Sequence, residues 1–109
     1  MEVRYHPEAE REVATMSPPE KVAMQSAVEK LKVLGDRLPF PHSSKVRGGG
    51  RLRELRPRAG RSPWRAFYRR IENAMVIGAI GPEAESNRRG FTRSVKKAEQ
   101  RLDEIEGKR

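Results

Sequence analysis

The sequence predicts an α+β fold: a small, mostly antiparallel sheet packed on one face by an N-terminal helical hairpin, plus a C-terminal helix. Three observations predict it. Apolar residues recur every three to four positions from Ala9 to Leu34 and again from Phe91 to Ile105, the spacing of a helix face. Between Arg51 and Gly81 the chain instead carries short runs of aromatic, β-branched and other apolar residues, parted by Gly, Pro and Asn. The length of 109 residues suits one domain, read here as 1–109.

The elements follow in order. "EVRY" is a short alternating segment with Val3 and Tyr5 on one side. Pro7 sits well in a first helical turn, and the glutamates behind it favour the positive end of the helix dipole. "SPPE" predicts a second helix start, with Ser17 as cap, Pro18 at the first helical position and Glu20 completing a capping box. Ala27, Val28, Leu31 and Leu34 continue that helix until Gly35 stops it. Residues 35–50 read as a loop, with three consecutive glycines at its end. "RLRELRP", "WRAFYRRI" and "AMVIGAIG" read as a three-stranded antiparallel meander, the last two joined by a turn at Glu72-Asn73. The continuous apolar run of the last strand fits a strand covered on both faces. The final helix is expected to bury Phe91, Val95, Ala98, Leu102 and Ile105.

Composition narrows the function. The chain has no cysteine, which excludes disulfides, a thiolate nucleophile and a Cys-based metal site, and no cofactor is expected. No apolar run approaches the roughly 20 residues of a membrane span, and "MEVRYHPEAE" lacks a signal-peptide core, so the expected compartment is the cytoplasm. With 24 basic and 15 acidic residues the net charge is +9. The window from Lys45 to Arg70 holds ten bases and the single acid Glu54, so it accounts for the whole excess. Nine of the ten bases are Arg, whose planar fork matches phosphate and stacks on bases, which favours a nucleic-acid partner over a membrane surface. With the helical hairpin on one face of the sheet, the opposite face is expected to stay open and carry these charges.

The series Glu54-Leu55-Arg56, Trp64-Arg65-Ala66-Phe67-Tyr68 and Met75 to Ile80, behind a short strand and a helix pair, resembles the RelE/ParE superfamily of toxins from bacterial type II toxin–antitoxin pairs. The HigB-like and phage-derived branch is the most similar, and the resemblance covers nearly the whole chain. It implies a RelE-like fold and a cognate antitoxin that caps the toxin in a hetero-oligomer. It also implies metal-independent cleavage of mRNA on the ribosome, which stops translation. ParE-like relatives instead inhibit DNA gyrase, and a binding protein without catalysis is a third possibility. Where many HigB-like toxins carry Phe-x-Lys-Lys after the fourth strand, this chain has Glu83 and Glu85, with Arg88 and Arg89 following.

RNA cleavage by an adjacent 2′-OH needs a proton acceptor, a proton donor for the leaving 5′ oxygen, and cations for the charge gathering on phosphorus. Arg56 and Arg65, on the matched positions of neighbouring strands, are the expected cationic clamp. Glu54 is either a base or an ion-pair partner organising those arginines. Lys45 and His42 are the better proton carriers, because Arg stays protonated. Arg47, Arg51, Arg53, Arg58, Arg61 and Arg69 are expected to hold RNA phosphates. Trp64 and Tyr68 share one side of a strand and could stack on bases or pack in the core. No metal ligand set is expected.

Overall fold

The computed structural model describes residues 1–107. Its elements are β1 (Glu2–Tyr5), α1 (Pro7–Ala14), α2 (Pro18–Leu34), β2 (Ser43–Lys45), β3 (Arg53–Leu55), β4 (Trp64–Ile71), β5 (Ala74–Pro82) and α3 (Arg88–Ile105). The five strands form one sheet in the order β1-β5-β4-β3-β2. β1 runs parallel to β5, and every other pairing is antiparallel. The α+β class, the helical hairpin and the β3-β4-β5 meander are as expected. Among the described residues no helix is long and apolar enough to cross a membrane.

The helix boundaries have local causes. His6 caps α1, its Nδ1 accepting from Glu8 N–H at 3.0 Å. Ser17 stands at the cap of α2 but makes no side-chain cap bond. The expected capping box does not form because Glu20 is engaged elsewhere. It accepts from Ser62 Oγ at 2.8 Å and from Arg58 Nη1 at 3.0 Å, so it fastens the β3–β4 connection to α2. Gly35 ends α2 at φ 53, a conformation that costs glycine little, and its N–H bonds Leu31 O.

One short strand was not expected. β2 has three residues, two of them serine, and pairs Ser43 with Leu55 and Lys45 with Arg53. The triple glycine is the tip of the β2–β3 hairpin rather than the end of a featureless loop. Gly48 and Gly50 both have positive φ there, and Val46 N–H bonds Leu52 O across the neck.

The sheet is covered on both faces. Ala9, Met24, Val28 and Leu31 from the hairpin pack against Leu55, Ala66, Tyr68, Met75 and Ile77. Ala98 and Leu102 of α3 pack with Phe67, Val76 and Ala79 on the other side, where Phe67 meets Phe91 edge-on at 5.3 Å. The expectation of an open second face is therefore corrected, since α3 occupies it. Two glycines of β5 allow this. A Cβ on Gly78 would lie 2.8 Å from Leu102, and one on Gly81 would lie 2.1 Å from Ser94 Oγ. β5 also changes register at Gly78, between the pairs Phe67–Ala79 and Tyr68–Ile77, as a β-bulge does. Beyond the end of β1, Glu12 of α1 accepts from Ile80 N–H and from Arg101 of α3, whose Nη1 also donates to Gly78 O.

Candidate nucleic-acid interface

The two-layered cover scatters the basic window. Arg65 and Arg69 point from β4 toward the α3 face and are 1% and 6% exposed. Arg65 donates from Nε to Glu54, from Nη1 to the carbonyls of Ser62 and Trp64, and from Nη2 to Gly60 O and Glu83. All five N–H groups of its fork are thereby matched. Arg69 pairs with Asp103 and Glu106 of α3, each at 2.8 Å. Arg51 also pairs with Glu106, Arg58 with Glu20, and Arg70 with Asp36. Burial alone would raise the Glu106 carboxyl, but the Arg51 and Arg69 guanidiniums outweigh it and hold the group below its ordinary value.

Four bases of the window have no carboxylate partner among the described residues: Lys45, Arg47, Arg53 and Arg61. Strand pairing places two of them side by side. Lys45 lies opposite Arg53, and Arg53 lies opposite Tyr68, so the three form a row across β2, β3 and β4. This row shares the sheet face of the helical hairpin: its Tyr68 end packs in the core with the helices, and Arg53 and Lys45 continue outward to the β2 margin of the sheet. It lines a cleft of about 620 Å³, which Arg51, Arg69 and Arg70 complete, with Asp36 and Glu72 as its acids. Arg53 is held by a buried pair of hydroxyls. Its Nε donates to Ser43 Oγ at 3.0 Å, and Ser43 Oγ is 2.6 Å from the Tyr68 hydroxyl. The terminal Nη1 and Nη2 of Arg53 make no hydrogen bond to another described residue.

The expected site residues divide among three places. Lys45, Arg51, Arg53, Tyr68 and Arg69 line the cationic cleft, although Tyr68 is 2% exposed and its ring belongs to the core. The core alternative for Tyr68 holds, because a ring so enclosed has no face to offer a base. Trp64 is half-buried against the same core. His42, Arg56 and Arg58 line a second cleft of about 290 Å³, between α2 and β3. There the Arg56 Nε donates to Pro41 O at 2.9 Å, and its guanidinium lies 5.1 Å from the Phe40 ring centre. Glu54 sits between Arg65 at 3.0 Å and Arg56 at 3.7 Å, in the ion-pair role. Arg47 and Arg61 are exposed on connecting segments and line neither cleft. Arg56 and Arg65 thus share Glu54 but do not face one open surface.

Sequence reasoning missed Ser43. Its signal was present but faint: Ser43 and Lys45, then Arg53 and Leu55, alternate on either side of a glycine-rich hairpin tip.

Comparison with known proteins adds one finding. The model of the family described as "Phage derived protein Gp49-like (DUF891)" matches residues 11–80, a span that includes the row and both clefts. No curated protein and no solved structure matches the chain. The chain belongs to this Gp49-like family, which falls within the RelE/ParE-like toxin superfamily.

Proposed function

We propose that this member of the Gp49-like family is the toxin of a toxin–antitoxin pair, and that its cationic cleft binds and cuts mRNA on the ribosome without a metal. The observation that carries this reading is the row Lys45–Arg53. Two cations on adjacent strands line a cleft large enough for a nucleotide and form no ion pair among the described residues, although Asp36, paired with Arg70, and Glu72 line the same cleft. The Arg53 fork takes two oxygens of the scissile phosphate, held in aim by Ser43 and Tyr68. The 2′ oxygen attacks phosphorus and its proton passes to water. The bond from phosphorus to the 5′ oxygen breaks, and Lys45 gives that oxygen a proton. The products are a 2′,3′-cyclic phosphate and a 5′-hydroxyl end. Much of the rate comes from holding the two oxygens in line, which the ribosome assists by presenting an extended message. A target of this kind places the protein in the cytoplasm. The cognate antitoxin then supplies carboxylates to the same cleft, forming a hetero-oligomer that dissociates more readily as salt rises.

The test is mapping of mRNA 5′ ends after adding purified protein to translating ribosomes. New 5′-hydroxyl ends are expected with wild type. Lys45→Ala should lower their rate of appearance by about 100-fold or more, the scale of a lost general acid. Intact message with wild type overturns the reading. Binding without cleavage is the second reading. It is favoured by His42 lying in the other cleft and by Glu54 being tied between two arginines. It would show as RNA affinity with no new ends, whereas a ParE-like action would show as inhibited gyrase supercoiling.

A further inference from the structure

Outside the window the charges cancel in number, but the fold does not mix them. Between Ser86 and Ala98 there are five cations, Arg88, Arg89, Arg93, Lys96 and Lys97, and no acid. All five are exposed, and none has an ion pair among the described residues. They fall on the solvent side of α3, with Arg89, Arg93 and Lys96 on the outer face and Arg88 and Lys97 at the two margins of the Gly90, Ser94 and Ala98 side that packs on the sheet. Their order opposes folding. The first turns of a helix favour acids, yet here the cations occupy the N-terminal half. The acids Glu99, Asp103 and Glu104 follow near the C-terminal end. This arrangement weakens the helix, so its use lies outside stability.

We infer that this outer face of α3 docks on the phosphate backbone of double-helical RNA. Arg89, Arg93 and Lys97 stand four residues apart, which spaces them at roughly 6 Å along the helix axis. That is close to the separation of successive phosphates on one strand. A protein partner fits less well. Protein interfaces place apolar side chains at their centre and deplete charge there. Phe91 and Val95, the large apolar residues of this half of α3, are instead packed against the sheet. Phe91, the one aromatic residue of α3, is packed against the sheet, so the cations of this face stand without a ring on which an unstacked base could stack. The inference deepens the reading of a ribosome-associated protein, since ribosomal surfaces are largely double-helical RNA, but it does not depend on cleavage.

The experiment uses the full chain and the triple variant Arg89→Glu, Arg93→Glu, Lys97→Glu. Fluorescence anisotropy measures binding to an RNA hairpin with a long duplex stem, to single-stranded RNA, and to polyglutamate of matched charge. The variant should lose duplex affinity at least ten-fold, and the salt slope should fall by about 2.7, the value for three phosphate contacts. Its thermal midpoint should rise, because Arg89→Glu suits the helix dipole, so loss of binding cannot be ascribed to misfolding. Unchanged duplex affinity overturns the inference. So does a loss confined to single-stranded RNA, or wild-type affinity for polyglutamate equal to that for the duplex. Lys21→Ala, which removes an exposed cation of α2 that lines neither cleft, is measured in parallel and should keep duplex affinity. If wild type binds the duplex through α3 but cuts no message, the cleavage reading fails and this one stands.

Discussion

Arg65 carries the plainest lesson at the scale of single residues. A buried guanidinium with all five N–H groups engaged belongs to the framework. Arg65→Ala strands the Glu54 and Glu83 carboxylates and should cost about 3–5 kcal/mol, read from urea denaturation. Arg65→Lys should recover little of that, since an ammonium has three donors and no fork. Any loss of toxicity on replacing Arg65 should therefore track loss of folded protein. Ser43 should behave differently. Ser43→Ala frees the Arg53 Nε and should slow RNA cleavage about 10- to 100-fold, the scale of a misplaced positioning group. Ser43→Thr keeps the hydroxyl and should restore part of the rate, and Ser43→Ala in an Arg53→Ala background should add nothing further. Equal losses in both backgrounds would deny the hydroxyl its role. Glu106 introduces a pH dependence. Its folded carboxyl titrates below the ordinary 4.5, so its contribution is complete above that value and is lost as pH falls through the lowered one. Thermal midpoints measured down an acid series should drop in that range, and Glu106→Gln should flatten this part of the fall.

Between elements, the contact of α3 with β5 depends on missing side chains. Gly81→Ala drives a methyl into Ser94 and should cost about 1–3 kcal/mol, with Ser94→Gly restoring much of it in the double variant. Chemical denaturation of the four proteins measures this. The same contact explains why the face of α3 was only partly legible. Apolar spacing named Phe91, Val95, Ala98, Leu102 and Ile105. The structure buries Gly90, Ser94, Ala98 and Leu102, keeps Phe91 and Val95 at the margin, and leaves Ile105 47% exposed. A close approach selects small residues, and hydrophobic spacing weighs size too little to see it. Glu20 shows a similar limit. Its place in "SPPE" suits a capping box, yet Arg58 and Ser62, 38 and 42 residues away in the chain, claim it. β2 escaped notice because three polar residues at a sheet margin carry no pattern of their own.

For the molecule as a whole, the count of charges was legible and their direction was not. The sequence counts ten cations in the window, but strand parity, the bulge at Gly78 and the packing of α3 decide which ones reach solvent unpaired. Salt titration of single-stranded RNA binding should separate the unpaired cations that line the cleft from Arg61, which is unpaired but lies outside it. Lys45→Ala and Arg53→Ala should each lower the slope of log affinity against log salt by about 0.7, while Arg61→Ala should leave it unchanged. The sheet order has one further consequence. Its two outermost strands are β1 and β2, of four and three residues, while the long β4 and β5 lie inside. Little unpaired backbone is left at either margin to recruit another chain, so when the protein accumulates faster than its binding partner, fibrous self-association through the sheet is disfavoured by construction.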